Sequence, residues 1–254
     1  MDLFKSSNPT LTQKIFDKNS TMDAGAQGVM SVRGTMNKFG FMLLMLMGGA
    51  IYTWNLFQTG NPGEMTTLML VGLFGGLIAA FAIIFKPTWA PYVAPAYGLL
   101  EGLALGGISA IMNDRFKLGY PNLVMQAVGL TFGVAIAMFL LYSFRIIKAS
   151  EKFKSMIISA LVGILIFKVI TIVVRLFGVD LPFMYDASPL GIGISLFIVA
   201  IAALTLIIDF DMIEQGAAQG APKFMEWYGA FGLMVTMVWL YMEILRLLSR
   251  FAKR

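Results

Sequence analysis

The sequence contains no cysteine and no histidine, and only 13% of its residues are charged. Without cysteine there is no disulfide framework, no thiolate nucleophile and no thiolate metal site. Without histidine the usual near-neutral acid/base is missing, and so is the commonest metal ligand. The Ser/His/Asp and Cys/His catalytic arrangements are thereby excluded. Neither G-x-x-x-x-G-K-[ST] nor a strand-linked G-x-G-x-x-G occurs, so nothing points to phosphate cradling. The chain is expected to be no enzyme, with no catalytic residue, metal centre or cofactor. Carboxylates are what remain, and any pH response near neutrality would have to come from them.

What is abundant is apolar. Hydrophobic residues make up 58% of the 254, more than a soluble domain of this size could cover, so the class is membrane protein. Residues 1–37 are polar and rich in turn formers (Asn8, Pro9, Asn19, Gly25, Gly28, Gly34). They lack the apolar core of a signal peptide and read as a cytoplasmic N-terminal arm. Residues 38–254 read as a single seven-helix transmembrane domain. Its apolar spans are Phe39–Phe57, Thr66–Phe85, Val93–Met112, Leu123–Phe144, Met156–Phe177, Leu190–Ile208 and Gly229–Ser249. Most connections are short, which forces antiparallel neighbours and one helical bundle.

Lys and Arg set the expected orientation. With the N-terminus inside, inner segments hold eleven of them and outer segments six, which places the N-terminus in the cytoplasm. These cations flank apolar spans, so the net charge of +5 gives no reason to expect nucleic acid. Membrane lipid is the expected surrounding. The third span repeats Ala94, Gly98, Gly102, Gly106 and Ala110 at every fourth residue, and the second repeats Gly72, Gly76 and Ala80. Such stripes let helix backbones approach closely in lipid, although small residues could also line a permeation path.

Six ionisable residues stand out. Leu190–Ile208 runs without a charge and then meets Asp209 and Asp211, expected at the lip of the sixth span. Glu101 lies mid-span in the third helix, Lys168 mid-span in the fifth and Glu243 deep in the seventh. A charge at the bilayer centre costs roughly 2.5–3.5 kcal/mol on insertion scales, so each needs a partner, water or a neutral state. Glu101 with Lys168 is the expected intramembrane ion pair, or else part of a polar path for a cation or proton. Glu243 has a local partner at hand in Arg246, three residues on. Asp209 continues a small or polar stripe through Ala202 and Thr205, whereas Asp211 shares a face with Glu214 and Gln215. Either both are solvated acids capping an inner loop, or at least one is buried and paired to another acid or a base.

The chain resembles the transmembrane Bax inhibitor motif family, in its bacterial Bax-inhibitor/YccA-like branch. The resemblance rests on Ser7-Asn8-Pro9, Met30–Lys38 (MSVRGTMNK), Pro91–Ser109 (PYVAPAYGLLEGLALGGIS), Asp209–Glu214 and Glu226–Leu248 (EWYGAFGLMVTMVWLYMEILRLL). It implies an all-α fold of seven transmembrane helices, with a central helix surrounded by helix pairs, in the bacterial inner membrane. It also implies a pH-sensitive calcium leak gated by two acids that share a proton on the last two helices. By resemblance these are Asp211 (from Phe210-Asp211) or Asp209 on the sixth, and Glu243 (from Leu240-Tyr241-Met242-Glu243) on the seventh. A shifted register would put the seventh-helix position at Thr236, with Glu101 and Arg246 as alternative partners. A second implied role is restraint of a membrane-bound AAA protease, using the N-terminal arm and the acidic inner loop Asp209–Glu226.

Overall fold

A computed structural model describes residues 28–178 and 187–253. It contains seven long helices: α1 (Val32–Gln58), α2 (Pro62–Phe85), α3 (Ala90–Phe116), α4 (Leu123–Ser143), α5 (Glu151–Leu176), α6 (Pro189–Ala218) and α7 (Met225–Phe251). A single 3-10 turn, Pro87–Trp89, leads into α3. All seven are long and apolar enough to cross a membrane. At ~1.5 Å per residue even the shortest, α4, exceeds a ~30 Å hydrocarbon core. Most of the N-terminal arm, residues 1–27, lies outside the described residues.

Two helix boundaries differ from the apolar spans. Helix α1 starts at Val32, inside the segment read as polar arm, because Ser31 caps it by accepting the Gly34 N–H at 3.0 Å. Helix α6 continues ten residues past Ile208, so Asp209 and Asp211 lie within it rather than at its lip. The apolar run ends at Ile208, but Met212 and Ile213 remain buried in protein and carry the helix on. It stops at Gly220, whose φ of 71° is the left-handed conformation of a helix C-terminus, with Ala221 N–H donating back to Gly216 O at 3.0 Å.

Contacts divide the described chain into two compact units. One comprises residues 28–115 and 209–235: α1, α2, nearly all of α3, and the C-terminal part of α6 with the N-terminal part of α7. The other comprises residues 116–178, 187–208 and 236–253.

In the first unit the glycine stripe on α3 is a packing surface. A Cβ on Gly102 would stand 2.1 Å from Leu46 O, one on Gly98 2.9 Å from Met42 O, and one on Gly106 2.3 Å from Ala50 O, all on α1. The complement holds too, since a Cβ on Gly49 of α1 would fall 2.5 Å from Leu99 O, and one on Gly72 of α2 2.4 Å from Leu100 O. Backbone therefore meets backbone on two sides of α3, where lipid offers no hydrophobic drive for association. A further crossing lies at Gly229 of α7, whose absent side chain leaves room for Thr35, Ile213 and Met30.

In the second unit α5 buries Ile157, Ile164 and Thr171 at intervals of seven, a narrow seam. Leu165, Val169 and Ile172 on its flanks are exposed, as lipid-facing residues are. The Thr171 hydroxyl is satisfied on its own helix by donating to Phe167 O.

Candidate functional site

In the first unit Glu226, in the first turn of α7, has a side chain 0% exposed. Its Oε1 accepts from Ser31 N and Ser31 Oγ, each at 2.9 Å, and from Lys223 Nζ at 2.8 Å. Its Oε2 accepts from Lys38 Nζ. The carboxylate occupies the space over Gly34, where a Cβ would stand 2.1 Å from Oε1. Lys38 also lies over the Trp227 ring at 5.5 Å, and Phe41 meets that ring edge-on. Just upstream, Met30 N–H donates to Ala221 O at 2.7 Å and Lys223 N–H to Gly28 O at 3.1 Å, around an isolated bridge between Val29 and Pro222. Residues 28–31 are thus strapped to the α6–α7 connection, and Glu226 locks the strap to the start of α1.

Of the neighbouring aspartates, Asp209 is the buried one, at 0% exposure, between Thr205 and Ile213 along α6. Asp211 is half-buried and accepts from Gln215 Nε2 one turn on. Glu101 lies twelve residues into α3, half-buried, over a second glycine: a Cβ on Gly76 of α2 would stand 2.9 Å from its Oε2. Among the described residues, none forms an ion pair or hydrogen bond with the Glu101 carboxylate. Tyr97, one turn earlier, is buried edge-on against Phe231 at 4.9 Å.

The second unit holds Glu243, 1% exposed, in α7. Its Oε1 accepts from Lys168 Nζ at 2.6 Å and from Trp239 Nε1 at 3.2 Å, and its Oε2 from Arg246 at 2.5 Å. The local Glu243–Arg246 pair is as expected. The expected Glu101–Lys168 pair is not formed, because Lys168 pairs with Glu243. Lys168 and Glu243 each stand eight residues before the last residue of their helix. Thr236, the alternative seventh-helix position, is buried in α7. Among the described residues there is no group of three or more acids able to hold a metal ion.

With this geometry in hand, one comparison decides the relationship. The family model described as Bax inhibitor 1 like matches residues 8–253, nearly the whole chain. The chain belongs to the Bax inhibitor 1 like family. Among curated proteins and among solved structures, nothing matches significantly. For this family member the structure explains two of the segments that carry the resemblance. Met30–Lys38 contributes Ser31, Gly34 and Lys38, and Glu226–Leu248 contributes Glu226 and Trp227. The two segments meet in the Glu226 clasp.

Glu226 was missing from the candidates drawn from the sequence, which placed it at the edge of an acidic inner loop. The usable signal was an opposite charge near the start of each of two spans, Lys38 on one and Glu226 on the other, with Gly34 making room.

Proposed function

We propose that this Bax inhibitor 1 like protein is a pH-sensitive cation leak, with calcium as the permeant ion, gated by carboxylates on α6 and α7. It lies in the bacterial inner membrane with its N-terminus in the cytoplasm, the side favoured by the Lys and Arg count, and performs no covalent chemistry. The observation that carries the reading is the withdrawal of one acid on each of the last two helices from solvent: Asp209 on α6 and Glu243 on α7. The chain has no imidazole, so carboxylates are the groups left to answer pH.

The two acids have different parts. Glu243 is a latch, since protonating it releases Lys168 and Arg246 and unfastens α5 from α7. Asp209 is the buried acid of the gate on α6, and Asp211, half-buried and held by Gln215, is the lesser candidate. Glu101 gives α3 a polar group inside the bilayer. Protease restraint is the weaker reading. It draws on the loop Asp209–Glu226 as an acidic contact surface, yet the acids at both ends of that loop are buried.

Calcium entry into proteoliposomes, followed with an internal dye across the near-neutral pH range, tests the proposal. Wild-type protein is expected to give a pH-dependent flux, Asp209→Asn one that no longer follows pH, and Glu243→Gln one raised at all pH values. Asp211→Asn is expected to behave as wild type. Absence of flux at every pH would end the channel reading.

A further inference from the structure

The cluster around Glu243 is not electrically balanced. One carboxylate, accepting from three donors, holds two cations, so the three charged side chains together carry one net positive charge. The anion is inside and the cations are outside: Glu243 is 1% exposed, but the Lys168 side chain is 36% exposed and that of Arg246 41%. Lys168 has three N–H donors and Arg246 five, and Glu243 can absorb only part of that supply.

What lies around this group is an exposed apolar surface, as a lipid contact requires. Leu165, Val169, Ile172 and Leu176 flank it on α5 and are all exposed. Depth identifies the part of the lipid. At ~1.5 Å per residue α5 and α7 are each about 40 Å long, roughly 10 Å more than the hydrocarbon core, so each end emerges by about 5 Å. Lys168 then starts about 7 Å below the edge of the hydrocarbon and Arg246 only about 3 Å below it, within reach of the headgroups for side chains that snorkel. We propose that Lys168 and Arg246 form a binding site for the phosphodiester headgroup of an anionic phospholipid, seated between α5 and the last turns of α7. The phosphate accepts the spare N–H donors and its charge balances the cluster. Arginine is well suited to this task because its planar fork matches phosphate oxygens. The site stands independently of whether the protein conducts ions.

The test is a titration of the purified full chain in neutral detergent with dihexanoyl phosphatidylglycerol below its micelle concentration. The emission of Trp239, which donates to Glu243, reports binding, and Trp239→Phe identifies its signal among the four tryptophans. Dihexanoyl phosphatidylcholine and inorganic phosphate are the other two arms. Saturable binding of the glycerol lipid, at least tenfold tighter than either, is expected. Arg246→Gln, which leaves Glu243 its Lys168 partner, is expected to weaken binding about tenfold, the size of one charge-assisted hydrogen bond. Lys168→Arg is expected to keep it. Glu243→Gln sets the sign, because removing the competing anion should hold or tighten lipid binding, whereas a merely structural cluster would lose it. Equal affinity for phosphatidylcholine or inorganic phosphate, or weaker binding in Glu243→Gln with unchanged binding in Arg246→Gln, would overturn the site.

Discussion

Replacing Glu226 by alanine is the sharpest probe of how the first unit is held together. The substitution strips a completely buried carboxylate from four donors at once: Ser31 N–H, Ser31 Oγ, Lys38 Nζ and Lys223 Nζ. These donors are not equivalent. The Lys223 side chain is 46% exposed, so water replaces its partner and its share is at most about 1 kcal/mol. Lys38 is only 19% exposed and Ser31 N–H belongs to the cap of α1, so both are left poorly solvated. Removing one partner of a buried pair costs about 3–5 kcal/mol. For a chain of this length, 1 kcal/mol moves Tm by about 2–4 °C, so Glu226→Ala is expected to lower Tm by roughly 10 °C. Thermal unfolding in detergent, followed by tryptophan emission, should rank the variants as Glu226→Ala most damaging, then Lys38→Ala, then Ser31→Ala, with Lys223→Ala nearly silent. Ser31→Ala loses a helix cap worth about 1 kcal/mol. The reasoning fails if Glu226→Ala unfolds no earlier than Lys223→Ala, since the carboxylate would then be no more than a surface charge.

Further outcomes follow from the packing. Gly102→Leu drives a side chain into the α1 backbone at Leu46 O and should abolish or strongly destabilise the folded protein, whereas Gly129→Ala, with open space around it, should be silent in the same melt. Glu243→Leu strips the carboxylate from both Lys168 and Arg246, whereas Lys168→Met leaves Glu243 paired with Arg246, so Glu243→Leu is expected to melt at the lower temperature, and a double-mutant cycle on the two reads their coupling directly.

Much of the fold was legible because lipid imposes a simple rule: about twenty apolar residues for each crossing. That rule finds where a helix meets hydrocarbon and says little about where it meets protein. It therefore missed the last ten residues of α6, in which Met212 and Ile213 are buried by the first unit, and the first two turns of α1, which starts at a serine cap. The site was legible where partners are close in sequence, as with Glu243 and Arg246. Lys168 was assigned to Glu101 because both looked mid-span. Counting from helix ends gives Glu243 instead, but those ends require knowing where α5 and α7 stop. Glu226 escaped because its burial depends on a void, the missing Cβ of Gly34, contributed by a segment nearly two hundred residues away.

Both anchored acids lie on α7, and their surroundings are built alike. Glu226 holds one cation three residues before it, Lys223, and one from a distant helix, Lys38 of α1. Glu243 holds one cation three residues after it, Arg246, and one from a distant helix, Lys168 of α5. The local cation fixes the carboxylate rotamer, and the distant one converts that fixed point into a tie between helices. Glycine packing fixes how closely helices approach but carries no charge, whereas each tie has a single carboxylate at its centre.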